Sequence, residues 1–159
     1  MTREDKELLL KDLCARIPYG VKVKIFDIDV LPYESSDIGT LVGKEHIDDD
    51  IYTIRCEHEG WCLQVYKDFM PYLRSLSSMT EEEWEEWDNK FSLPFGAGKN
   101  ATSFNVYDYV VADFGYSADI SISEVAEMLD WLNSRHFDYR GLIPKGLAIE
   151  VTPENNPYD

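Results

Sequence analysis

Apolar and polar residues alternate with two different periods along this chain. Between residues 2 and 17, Leu9, Leu10, Leu13, Cys14 and Ile17 recur at helical spacing. Leu8 widens that face, and Lys6, Lys11 and Asp12 lie off it. Thr2 and Asp5 stand at the two positions of a capping box. Pro18 ends the helix, because it disfavours helical backbone at Ile17 and has no N–H to donate. Cys14, on the apolar stripe, reads as a small core residue.

From Gly20 the period drops to two. Val21, Val23 and Ile25 alternate with Lys22 and Lys24, the pattern of a half-buried strand. The phase then slips by one residue to Phe26, Ile28 and Val30, which predicts a bulge or bend. Residues 32–37 read as a loop and 38–47 as a second strand, with Gly39 and Gly43 allowing curvature. Asp48, Asp49 and Asp50 make a turn. Strands follow over 51–56 and 61–66, joined by a turn over 57–60, and a fifth spans 70–76. A curved antiparallel sheet or SH3-like barrel over about residues 20–76 is therefore expected.

The helical period returns after Met79. Thr80 and Glu83 form a second capping box, Met79 and Trp84 occupy staple positions, and Glu81 and Glu82 suit the positive end of the helix dipole. This helix is expected over 81–91. Residues 92–101 read as a loop and 104–114 as a strand. Ser121 and Glu124 start a further helix over about 122–136, with Ile122, Val125, Ala126, Leu129 and Leu132 facing the core and Met128 and Trp131 flanking them. Leu147, Ile149 and Val151 alternate as a last short strand, and 152–159 read as a frayed polar tail. The fold class is α+β. One compact domain over 1–159 is expected, with a β-rich half (18–76) and a helical and mixed half (77–152).

Charge narrows the function classes. Asp and Glu number 31 against 15 Lys and Arg, a net charge of −16. Such a chain repels nucleic acid and anionic membranes, so direct contact with either is not expected. It favours a protein partner with a basic surface, or it simply keeps the protein soluble. With 44% hydrophobic residues, 159 residues suffice for a core without staples, and three cysteines make no disulfide framework. Residues 2–7 lack the pattern of a signal peptide, and no apolar run approaches a membrane span. A cytoplasmic protein is expected.

Candidate chemistry is sparse. Cys56 and His58 with Cys62 can offer three metal ligands from one hairpin, but the spacing is equally that of ordinary strand residues. His136, Asp138 and Arg140 lie close together without a nucleophile, and residues 96–99 lack the spacing of a phosphate loop. No catalytic residue is assigned, and no cofactor is expected. Trp84 and Trp87 share one face of an acidic helix. They either pack it onto the sheet or form an aromatic anchor with an acidic rim for a basic partner. Tyr139 and Arg140 are further candidate contacts.

Three segments carry a resemblance: 8–21 (LLLKDLCARIPYGV), 71–83 (PYLRSLSSMTEEE) and 131–148 (WLNSRHFDYRGLIPKGLA). Together they resemble a group of short bacterial and phage proteins to which no activity is assigned. The resemblance implies an accessory protein of bacterial or mobile-element origin and carries no functional residues over. The combined expectation is a non-enzymatic, acidic, protein-binding accessory protein. A defence inhibitor or a mimic of nucleic-acid charge are its sharper forms. A small metal-binding domain or enzyme is the alternative, and a homo-oligomer is compatible with each.

Overall fold

In a computed structural model, the structure describes residues 1–26, 37–48, 51–58, 61–65, 69–91 and 122–159. Helix α1 (Arg3–Arg16) starts at the expected box. The Thr2 hydroxyl accepts from the Asp5 N–H at 3.1 Å, and the Asp5 carboxylate accepts from the Thr2 N–H at 3.1 Å. A 3₁₀ turn (Ile17–Tyr19) holding Pro18 follows. Gly20 then reverses the chain at φ 63°, a left-handed backbone that suits a residue without Cβ.

The strands are β1 (Lys22–Ile25), β2 (Ile38–Asp48), β3 (Ile51–His58), β4 (Trp61–Val65), β5 (Phe69–Leu73) and β6 (Ile149–Glu150). Their order is β4-β3-β2-β1-β5-β6. All neighbouring pairs are antiparallel except β5 with β6, which run parallel. The sheet is thus mixed and open. The described pairings start at β4 and stop at β6, and they do not close the expected SH3-like barrel. The physical reason is that β5 takes β1 on one edge and the late strand β6 on the other. That leaves β5 no free edge to turn back toward β4. Register shifts between Leu41 and Gly43 and between His46 and Asp48 mark irregularities in β2, the first beside a glycine that tolerates them.

Helix α2 (Glu81–Phe91) follows a 3₁₀ turn (Leu76–Ser78), and α3 (Ile122–Ser134) precedes β6. The second box forms as expected: the Glu83 N–H donates to the Thr80 hydroxyl at 3.2 Å, and the Thr80 N–H donates to the Glu83 carboxylate at 2.9 Å. The expected loop at 92–101, the strand at 104–114 and the Ser121 cap lie outside the described residues, as do the phase slip beyond Phe26 and most of the loop at 32–37.

Two apolar clusters form the interior. In the first, Leu9 and Leu13 of α1 meet Val21, Val23, Ile25, Leu41 and Leu73 of the sheet side, closed by Leu142, Leu147 and Ala148. In the second, Met79, Trp87 and Phe91 meet Met128, Trp131 and Leu132 of α3, together with Leu76, Phe137 and Tyr139.

Three expectations are corrected. Cys14 is exposed, because α1 is rotated to bury Leu9, Asp12, Leu13 and Arg16. Ala126 is also exposed. The buried face of α3 is centred on Met128, Trp131 and Leu132, because the indole of Trp131 fills the space between the helices. The segment 152–159 is not frayed, because Tyr158 ties it to β1 and β5.

Candidate functional site

Helix α2 is amphipathic in an unusual sense: its outer residues are nearly all acidic, and its inner ones aromatic. Trp87 is fully buried, with its ring 4.5 Å from Phe91 and 5.2 Å from Trp131. Trp84 is half-buried against the same cluster. The two tryptophans thus pack the helix, and Trp87 presents no surface to a partner. Tyr139 is buried too. Arg140 is partly buried, with its Nε 3.7 Å from the Asp12 carboxylate.

Around the aromatic cluster runs a ladder of charge that sequence reasoning missed. The Arg74 guanidinium donates to both Glu83 carboxylate oxygens, at 2.7 and 2.8 Å, and lies 4.3 Å from the centre of the Phe137 ring. Burial pushes the Glu83 carboxyl up, but the hydrogen bonds from Arg74 and the Thr80 backbone outweigh it, so the net shift is down. One step further out, Glu86 accepts from the Trp131 indole N–H at 3.0 Å and pairs with Arg135. The indole hydrogen bond and then the Arg135 charge hold Glu86 below the usual carboxylate range. Arg135 lies 4.2 Å over the Trp131 ring.

This ladder borders an open groove of about 420 Å³, lined by Tyr19, Glu86, Lys90, Glu127, Asp130, Trp131, Ser134 and Arg135. Tyr19 hydrogen-bonds Asp130. Burial, and then that carboxylate, raise the phenol above its ordinary value. Glu127 lines it and is exposed, and Glu81, Glu82, Glu85 and Asp88 of α2 and Glu124 of α3 are exposed elsewhere on these helices. The face therefore combines negative charge with the edge of an aromatic core.

A second polar cluster lies inside. Asp12 and Arg16, both fully buried, share two hydrogen bonds at 2.7 and 3.0 Å, and Arg16 also donates to the Phe137 carbonyl at 2.7 Å. The Asp138 carboxylate accepts from the Leu142 and Ile143 N–H groups at 2.9 and 2.7 Å. Burial raises its pKa, opposed by those two amides. His136 adopts φ 60°, and burial, then Arg16, Arg74 and Lys22, lower its pKa to about 4. The Asp12 and Asp138 carboxylates are both engaged, through Arg16 and the Leu142 and Ile143 amides, in holding the turn after α3. In the sequence, the closeness of His136, Asp138 and Arg140 pointed to part of this cluster, and the i,i+4 spacing of Asp12 and Arg16 was the signal that went unread.

The candidate metal ligands lie on the β3–β4 hairpin. Cys56 pairs in register with Leu63, His58 with Trp61, and Cys62 with Glu57. Paired positions share a face and successive ones alternate. Cys56 and His58 thus belong to one face of the hairpin and Cys62 to the other. Among the described residues no group of three His, Cys, Asp or Glu side chains is placed to hold a metal ion, and no helix is long and apolar enough to cross a membrane. No protein-family model matches the chain, and no curated protein and no solved structure matches it either.

Proposed function

We propose that this chain is a non-enzymatic, acidic accessory protein that binds a basic protein partner through the face formed by α2 and α3. The observation that supports this reading is the groove lined by Glu86 of α2 and Glu127 and Asp130 of α3 beside Tyr19 and Trp131, in which Lys90 and Arg135 are the cations and Arg135 is paired with Glu86. Charge steers a basic partner toward that face, and the aromatic edges give its side chains something apolar to cover. Trp131 is the tryptophan that lines this groove, and Trp84 is half-buried on the same helix as Glu86. A defence inhibitor, or a mimic of nucleic-acid charge carried by a mobile element, is the sharper form of this reading, and the net charge of −16 supports it.

The test is capture from a lysate of the native host at low and high salt, comparing the natural chain with the triple variant Glu86→Gln, Glu127→Gln, Asp130→Asn. One stoichiometric basic partner, lost at high salt and lost with the variant, is expected. A partner held equally by the variant, or none at either salt, overturns the proposal. Stoichiometric zinc in the purified protein would favour the metal-binding alternative instead.

A further inference from the structure

The C-terminal segment ends in an arrangement that its polar composition hides. The Tyr158 hydroxyl accepts from the Lys22 N–H at 3.2 Å and donates to the Tyr72 carbonyl at 2.8 Å. Val23 pairs with Pro71, so Lys22 and Tyr72 are the next opposed positions of the β1–β5 ladder. The hydroxyl therefore stands between two strands where β5 leaves β1 and takes up β6. The phenol ring stacks on His136 at 4.2 Å and 12°. Further side-chain hydrogen bonds of the segment, Thr152 N–H to Asn155, Asn155 to the Glu150 carbonyl and Tyr158 N–H to Asn156, are short-range, whereas the Tyr158 hydroxyl reaches distant parts of the fold.

His136 is held on both sides. Its carbonyl accepts from the Arg74 N–H at 2.9 Å, which fixes the backbone. Its Nδ1 is buried and has no hydrogen-bond partner. The charges that face it are cations from three elements: Arg16 of α1, Arg74 after β5 and Lys22 of β1. The nearby carboxylates are committed elsewhere, Asp12 to Arg16 and Asp138 to the amides of Leu142 and Ile143. A proton on this ring has no uncommitted carboxylate to meet among these groups.

We propose that residues 152–159 form a strap locked by Tyr158 onto the neutral imidazole of His136, and that protonation of His136 releases the strap and frees the Lys22 N–H and Tyr72 carbonyl between β1 and β5. The strap is closed at neutral pH and opens on acidification. Linkage makes the relation reciprocal: if the strap docks on the neutral ring, losing the strap must make the ring easier to protonate.

The experiment uses the full-length chain between pH 7.5 and 5, above the sequence pI of about 4.4. The His136 ring is titrated by NMR, and exchange of the Lys22 amide is followed, in the natural protein, Tyr158→Phe, Tyr158→Ala and His136→Asn. Asn tolerates the left-handed backbone and cannot take the proton. In the natural protein the His136 resonance should scarcely move down to pH 5, while the protection of the Lys22 amide, the slowing of its exchange relative to the intrinsic rate at each pH, falls as the minor protonated, open form grows. In Tyr158→Ala the ring should titrate ~1 unit or more higher, toward its ordinary value. Lys22 exchange should be about tenfold faster at neutral pH in both Tyr158 variants. In His136→Asn the Lys22 amide should stay protected over the whole range. An unchanged His136 titration in both Tyr158 variants overturns the proposal. So does a Lys22 amide that is equally protected in the natural protein and in both Tyr158 variants.

Discussion

The two apolar clusters are built on different plans. The first is aliphatic and lies between α1 and the sheet, with Val21, Val23 and Ile25 at one or no per cent exposure. The second is aromatic and lies between α2, α3 and the turn after α3, with Trp87, Trp131, Phe91 and Phe137 at its centre. The charges differ in the same way. Beside the aliphatic cluster, Asp12 and Arg16 are sealed from water. Beside the aromatic one, Glu83, Glu86, Arg74 and Arg135 stay in partial contact with it, and the two arginines lie over ring faces. The aliphatic half holds its charges as structure. The aromatic half displays them, and that is where an interaction face can form at little cost to stability.

Truncating the centre of the aromatic cluster tests its standing as core. Trp87→Ala should cost about 3–5 kcal/mol in urea unfolding, because a fully buried indole leaves a large cavity. A surface anchor would lose partner binding with little change in stability. On the other side, Asp12→Ala should cost about 3–5 kcal/mol by leaving the Arg16 guanidinium buried without its counter-charge. Replacing the pair together, as Asp12→Leu with Arg16→Met, should recover much of that loss.

The histidine between the clusters gives a pH signature. Its pKa is lowered to about 4 in the folded protein, against about 6.5 for an ordinary histidine, so the unfolded chain binds the extra proton in that window. Its contribution is complete above 6.5 and is lost as pH falls toward 4. The loss is on the order of 2 kcal/mol after allowance for its partial exposure. Comparing the stability of the natural protein and His136→Asn across that window isolates this effect from the carboxylates, and the two curves should converge at low pH.

How far these features were legible follows from how local they are. The boxes at Thr2 and Thr80 and the alternation of β1 are written within a few residues, and the structure forms them. The period also marked Trp84 and Trp87 as one helix face. Which way that face turns depends on Trp131 and Phe137, far along the chain, and the surrounding glutamates left a partly exposed anchor as the second reading beside packing. Arg16 finds the Phe137 carbonyl 121 residues away, and Tyr158 finds the Lys22 N–H 136 residues away. No local pattern encodes such partners. The parallel pairing of β5 with β6 is of the same kind, and it separates the observed open sheet from the expected barrel.

Smaller effects complete the comparison. Thr80→Ala should cost about 1 kcal/mol through loss of the cap that starts α2, read as a lower unfolding midpoint. Glu86→Gln should change stability by less than about 1 kcal/mol, because its pair with Arg135 is screened by solvent. It should still weaken capture of a basic partner.

The most direct test of the acidic face is NMR mapping of a short lysine-rich peptide on the full-length protein at low salt. Shift changes gathered on α2 and α3 around Glu86, Glu127 and Asp130, and abolished by added salt, are the result this account predicts. Changes centred on α1 or the β3–β4 hairpin, or spread evenly over the surface, would contradict it.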